Sequence, residues 1–247
     1  MQRNIKSLIG YSIEATDGRI GELNEFYFED NTWLIRYLII KTGNWFLNRK
    51  VLISPYALLK KEKETCILSV NISKEKVRTS PDIDTDKPVS KQYDIELYGH
   101  YSWPLYAGSG FYAGGSEAAM NDAPVIDERI LKEADGNDKG SDDDLHLRST
   151  KTVTGYHIHA IDGDFGHVTD FIVDDSNWKI KYLVVDSHNW FGGKKYLVET
   201  DAVKEIQWDN SKVILNITKA GIEEGSLFDE SQFNYSQSIA VPSESIG

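Results

Sequence analysis

Acids set side by side, a concentration of histidines and one cysteine are the residues through which this chain could do chemistry. Asp17 and Asp162 each precede a glycine, and Glu29-Asp30 and Asp174-Asp175 are adjacent acidic pairs. Carboxylate pairs run general acid–base chemistry where their surroundings push the two pKa values apart. An Asp before Gly between two apolar runs has a simpler role as the turn of a hairpin, since both residues accept positive φ. The acidic pairs are read the same way, as turn residues on a solvated face.

Five of the six histidines (His146, His157, His159, His167 and His188) lie in the second half of the chain. His157 and His159, two apart on a strand, share one face. A tight hairpin at Asp162-Gly163 would set His167 opposite Ile158, on the other face of the sheet. That register makes a three-histidine zinc site geometrically poor and leaves two histidines plus a carboxylate as the remaining metal option. Cys66 is the single cysteine, which excludes an intramolecular disulfide and a multi-cysteine zinc site. Its alternation with Leu68 and Val70 predicts a buried thiol. Ser73-Lys74-Glu75-Lys76 fits S-x-x-K and Lys41-Thr42-Gly43 fits K-T-G, but their order is the reverse of that in acyl-serine enzymes. Ser73 is better placed as the cap of a short helix. No glycine-rich nucleotide loop or nucleophile elbow occurs. The expectation is a non-enzyme with no catalytic, cofactor-binding or metal-ligating residue and no cofactor. The candidate contact residues are aromatic: Trp45-Phe46 and Trp190-Phe191, each following an asparagine, and Trp103. A loop Trp-Phe pair serves either as a barrel lid or as an anchor for a partner.

These residues are arranged by an internal repeat. Residues 10–77 align without a gap on residues 155–222, at a constant offset of 145, with 22 identities in 68 positions. Chance would give roughly 4, so one unit has been duplicated. Alternating apolar residues predict strands at 11–15, 20–28, 33–42, 50–54 and 65–72, and again at 156–160, 165–174, 178–186, 195–199 and 212–217. A helical turn is expected at 55–59 and a short helix at 74–78. Short strands, tight turns and many aromatic residues point to small barrels, which fill their interiors with large rings and leave no exposed edges. The expected organisation is a first barrel at 1–81, an aromatic-rich extension at 82–112, an acidic linker at 113–149, a second barrel at 150–224 and a disordered tail at 225–247.

Net charge is −12 over 247 residues, which argues against general nucleic-acid binding. It divides as +4 for residues 1–80, −9 for 81–150 and −7 for 151–247, so the first unit could dock electrostatically on the second or on the linker. No apolar run approaches the ~20 residues of a membrane span, and no secretory leader is read at the start. A cytoplasmic location is expected.

The pattern Gly10, Asp17-Gly18, Gly21, Phe26, Asp30, Trp33, Ile35 and Tyr37-Leu38, closing with Lys50 and Leu52, resembles the PRC-barrel family. It returns as Gly155, Asp162-Gly163, Gly166, Phe171, Asp175, Trp178, Ile180 and Tyr182-Leu183, closing with Lys195 and Leu197. The resemblance is to stand-alone bacterial double-barrel members, with a likeness to the cytoplasmic domain of the photosynthetic reaction-centre H subunit. It implies an all-β fold of two six-stranded barrels in tandem, each with a short helix. It also implies a protein-interaction or assembly role, the partner being another protein or a second copy, with no catalytic residues to carry over. Two alternatives stand beside it. One is an RNA-associated or ribosome-assembly factor using Arg36, Arg49, Lys50, Lys60, Lys61 and Lys63. The other is a metal- or ligand-binding sensor using the histidines of the second unit.

Overall fold

The computed structural model describes residues 1–44, 49–59, 66–81, 96–97, 99–103, 147–187 and 193–233. The first half carries β1 (Gln2–Asn4), β2 (Ser12–Ala15), β3 (Gly18–Glu29), β4 (Ile35–Thr42), β5 (Lys50–Ile53), β6 (Ile67–Ser69) and helix α1 (Lys74–Arg78). The second carries β7 (Leu147–Ser149), α2 (Thr150–Val153), β8 (His157–Ala160), β9 (Gly163–Asp174), β10 (Lys179–Asp186), β11 (Lys195–Glu199), β12 (Val203–Gln207), β13 (Lys212–Leu215) and α3 (Lys219–Glu223). One sheet runs β5-β4-β3-β2-β6, the other β11-β10-β9-β8-β13-β12. Within these two runs neighbours are antiparallel except β2 with β6 and β8 with β13, which are parallel. The two-barrel, all-β architecture expected from the sequence is the one observed.

The repeated residues explain why each unit folds alike. Gly18 and Gly163 turn the first hairpin with φ of 126° and 123°, a region that favours glycine. The Asp before each does more than turn the chain. Asp17 Oδ1 accepts from Lys74 N at 2.7 Å and Asp162 Oδ1 from Lys219 N at 2.8 Å, tying the hairpin to the start of the short helix. Ser73 caps α1 by accepting from Lys76 N, as expected, and Thr218 caps α3 through Gly221 N. Bulges between Ile13 and Glu14 and between Ile158 and His159 bend the hairpins in the same way in both units,. A methyl group on Gly21 would overlap the Lys41 carbonyl, and one on Gly166 the Asp186 carbonyl. Glycine is therefore required at both places for the long strand to approach its neighbour.

Tyr37, Phe26, Phe28 and Phe171 are fully buried, and both faces of β4 from Ile35 to Ile40 are inside. One apolar cluster runs through both units without interruption. It takes in Leu97, Tyr101 and Trp103 of the aromatic extension, with Tyr101 stacked on Trp103 at 4.2 Å and His100 Nε2 2.8 Å from the Lys76 carbonyl. Burial pushes the Tyr101 phenol up to about 12.

Four expectations change. Leu147–Ser149, assigned to the linker, is a strand. Residues 226–233, assigned to a disordered tail, dock on the second barrel: Phe228 N donates to Lys195 O, Leu197 N donates to Ser226 O, and Phe228 and Phe233 stack at 5.6 Å over Ile172 and Val184. Their aromatic rings cover an apolar outer face that β9 and β10 would otherwise leave in water. Val203–Gln207 forms a strand the alternation did not show. Cys66 is exposed: it lies one residue before β6, where its carbonyl accepts from Ser12 N.

Substituting Gly21 or Gly166 by Ala forces backbone apart and is expected to lower unfolding free energy by about 2 kcal/mol or more. Gly10→Ala meets nothing within 4 Å but sits at φ 84°, so its cost should stay near ~1 kcal/mol. Urea denaturation of the three variants measures the ranking, and equal losses at all three positions would refute it.

Candidate functional site

A twelve-residue strand is longer than its hairpin partner. β8 covers β9 only over Gly163–His167, and β2 covers β3 only over Gly18–Glu22. The far ends of β3 and β9 therefore need other neighbours, and each takes the lead-in strand of the opposite unit. β1 pairs with β9 in the register Gln2↔Asp174, Arg3↔Val173, Asn4↔Ile172. β7 pairs with β3 in the register Leu147↔Glu29, Arg148↔Phe28, Ser149↔Tyr27. Every residue in one set is 145 positions from its counterpart in the other, so the exchange obeys a two-fold pseudo-symmetry.

The side chains repeat that symmetry. Arg3 Nε donates to Asp175 Oδ2 at 2.7 Å, and Arg148 Nε to Asp30 Oδ2 at 2.6 Å. Asn4 donates to Asp170 at 3.0 Å, and Ser149 Oγ donates to Glu25. On the pseudo-axis Leu34 bridges Lys179, flanked by Ile35 N donating to Trp178 O at 2.9 Å and Ile180 N donating to Trp33 O at 2.8 Å. Both tryptophans hold a positive φ, 61° and 55°, a conformation that costs ~1 kcal/mol or more for a bulky residue. It is held because their carbonyls make the cross-unit bonds and their rings fill the seam. Trp178 lies 5.9 Å from Phe26 of the other unit, and Phe28 meets Phe171 at 5.7 Å. The units thus meet through a reciprocal arrangement, in which each supplies one arginine and one aspartate; the charge-driven docking on the acidic linker falls mostly outside the described residues.

Outside the seam the two units differ. Cross-strand partners on the second sheet run Lys212, His157, His167, Asp186 and Lys195 from β13 to β11. The same row on the first sheet reads Ile67, Ser12, Glu22, Lys41 and Lys50. The bulge overturns the expected hairpin register: His167 faces His157, not Ile158, and shares its side of the sheet. His159 instead meets Asp164, Nδ1 to Oδ1 at 2.7 Å. That hydrogen bond, helped by Lys212, holds the Asp164 carboxyl below its ordinary value. Asp170 moves the other way, because burial outweighs its bonds from Phe171 N, Lys6 N and Asn4. Among the described residues, no three His, Cys, Asp or Glu side chains come together as a metal site.

The aromatic candidates are placed as follows. Trp103 is buried on Tyr101. Trp45, Phe46, Trp190 and Phe191, with His146 and His188, lie outside the described residues, as do Lys60, Lys61 and Lys63. Of the other basic candidates, Arg36 is buried 3.9 Å from Glu29, and Arg49 donates to the Ser80 and Pro81 carbonyls. The residues that join the units, Arg3, Asn4, Arg148 and Ser149, were missed by the repeat alignment, which began at Gly10. Extending the same offset upstream pairs Arg3 with Arg148, Lys6 with Lys151 and Leu8 with Val153, and that was the available signal.

Two small coiled sheets of one topology, sharing a seam, define a tandem-barrel protein. The PRC-barrel domain model matches residues 1–84 and 159–222, more than half of the chain, and the protein belongs to the PRC-barrel family. Comparison with curated proteins finds no match. No helix among the described residues is long and apolar enough to cross a membrane.

Asp30→Ala leaves the largely buried Arg148 without its carboxylate and is expected to cost about 1–3 kcal/mol of stability. The loss should appear in one unfolding transition shared by both units, and two separate transitions would refute the shared seam. Carboxyl titration by NMR should place Asp170 above the ordinary aspartate range and Asp164 below it. The raised folded-state pKa means that Asp170 adds stability below its unfolded value and loses it as pH rises through the folded one. Asp164 contributes in the opposite sense, with stability lost as pH falls.

Proposed function

We propose that this protein is a non-enzymatic interaction or assembly module whose two units hold unlike outer faces in a fixed relation. The observation that supports it is the contrast between seam and surface. The seam keeps its register, its Arg–Asp pairs and its two strained tryptophans in both units, whereas the cross-strand rows outside it read Lys–His–His–Asp–Lys in one unit and Ile–Ser–Glu–Lys–Lys in the other. A duplication that keeps its joint and changes its faces fits a scaffold with two contact surfaces, and the PRC-barrel family supplies the same general role. Trp45-Phe46 and Trp190-Phe191 remain the proposed anchors. The partner is another protein or a second copy, in the cytoplasm. Nucleic-acid binding is disfavoured because Arg36 and Arg49 are taken up by internal partners.

The interlocked lead-in strands rule out assaying each unit alone, since a single unit would lack an edge partner. The test is affinity capture with the full chain against a variant carrying His157→Ser and His167→Glu, which gives the second sheet the first sheet's residues. Loss of a captured protein, or of self-association by light scattering, with the folding transition unchanged supports the reading. Capture that is insensitive both to this variant and to Trp45→Ala/Trp190→Ala refutes it. Filter binding of RNA at low salt should show no retention.

A further inference from the structure

Beside the exchanged strands the two units differ in a buried acid, and a cavity opens there in the second unit. In the first unit Glu25 receives hydrogen bonds from Asn24 at 3.0 Å and from Ser149, and Lys50 Nζ stands 3.7 Å from its carboxylate. The counterparts of Glu25 and Lys50 are Asp170 and Lys195. Aspartate is one methylene shorter, and no cation among the described residues comes within ion-pair distance of it. Between Asp170 and Lys195 lies a cavity of about 70 Å³, enough for a group of a few heavy atoms.

The chemistry of its lining is lopsided. Asn4 and Asp170 are buried, at 3% and 5% exposure, and both line it. Asn4 uses its Nδ2 on Asp170, and its Oδ1 is buried without a hydrogen-bond donor. Thr169, also in the wall, has turned its hydroxyl to the Val184 carbonyl at 3.0 Å and offers no proton inward. A buried carbonyl left unmet calls for an N–H donor, and a desolvated carboxylate whose three donors, Phe171 N, Lys6 N and Asn4 Nδ2, are all neutral calls for one carrying positive charge,. Phe228 adds an aromatic wall and Glu230 a second acid at the mouth, both favourable to a cation. The first unit shows which cation this place accepts, because there the carboxylate is met by the ammonium of a lysine.

We propose that this cavity is a binding site for a primary ammonium group, the head of a small alkylamine or the tip of a lysine presented by a partner. The ammonium donates to Asn4 Oδ1 and Asp170, and takes the place that Lys50 holds beside Glu25. Lys6 and Lys195, both at the mouth and both exposed, are the internal competitors. The site stands independently of the interaction role, since a free amine probes it without any partner.

The experiment is an NMR titration of the full chain with methylammonium chloride, matched against sodium chloride and tetramethylammonium chloride at equal ionic strength. The expected result is a saturable shift at the Asn4 side-chain amide and the Lys6 and Phe171 backbone amides, absent with the other two salts. Asp170→Glu, which extends the carboxylate toward Lys195, should weaken binding by about tenfold or more, the worth of one charged hydrogen bond. Lys195→Gln, an exposed change that leaves folding intact, should leave binding unchanged or tighter. A lysine-containing tripeptide and its acetyllysine form make the second arm. Response to methylammonium assigns the site to free amines, and response to the lysine peptide alone assigns it to a partner's side chain. No saturable response to either, an equal response to sodium or to acetyllysine, or binding seen only in Lys195→Gln would overturn the proposal.

Discussion

The structure depends on the unmet edge of two long strands. β3 and β9 each run twelve residues, and the hairpin strand beside each covers less than half of that length. An uncovered strand edge exposes backbone donors and acceptors and invites pairing with other chains. Here the edge is completed by the lead-in strand of the other unit, in both directions and in one register. This makes each barrel incomplete without its twin. It also explains why units of about 70 residues, near the lower limit for independent folding, hold together: the seam merges two small cores into one apolar cluster. The arrangement is that of an isologous dimer joined into one chain.

Energetically the seam is apolar and backbone-bonded, with polar side chains fixing its register. Trp33 and Trp178 accept a strained φ, and in return their carbonyls receive the cross-unit bonds beside the axis. The Arg3–Asp175 and Arg148–Asp30 pairs are only partly exposed, with side-chain exposures of 12%/25% and 9%/13%. Removing one partner from such a pair costs more than the pair itself contributes, because the remaining charge stays desolvated. The two pairs therefore act against misregistered docking more than they add to net stability.

Much of this fold was legible in the sequence. The constant 145-residue offset gave two copies, and the Asp-Gly turns, the apolar strand 35–42 and Ser73 as a cap all stand where alternation and turn chemistry put them. What escaped had physical causes. β1 and β7 are three residues each, too short for periodicity, and they pair with partners far away in sequence. The histidine register failed through a single bulge, which shifts every downstream partner and is not encoded in a two-residue turn signal. Cys66 followed the apolar alternation but lay beyond the strand's end. The docked segment 226–233 carries only Leu227, Phe228 and Phe233 as large apolar residues, so composition marked it as a tail, although two rings suffice to cover one small apolar face.

The duplication also determines where difference can accumulate. A residue that serves both the barrel and the seam, such as Trp33, Asp30 or Arg3, answers to its own unit and to the other, so change there is doubly constrained. Residues on the outer rows answer to neither. The exception lies between these classes: Glu25 and Asp170 are both buried beside the exchanged strand, yet they differ by one methylene. At a surface that difference would be slight. In a close-packed interior the shorter acid stands beyond ion-pair reach of any described cation, accepts only from neutral N–H donors, and borders a small space next to the unmet Asn4 Oδ1,. Packing in a seam otherwise this well matched does not tolerate such a gap without cost, and the cost falls only on the second unit. A chain that keeps it there has distinguished its two halves in the interior as well as at the surface, and the interior difference has the more definite chemistry.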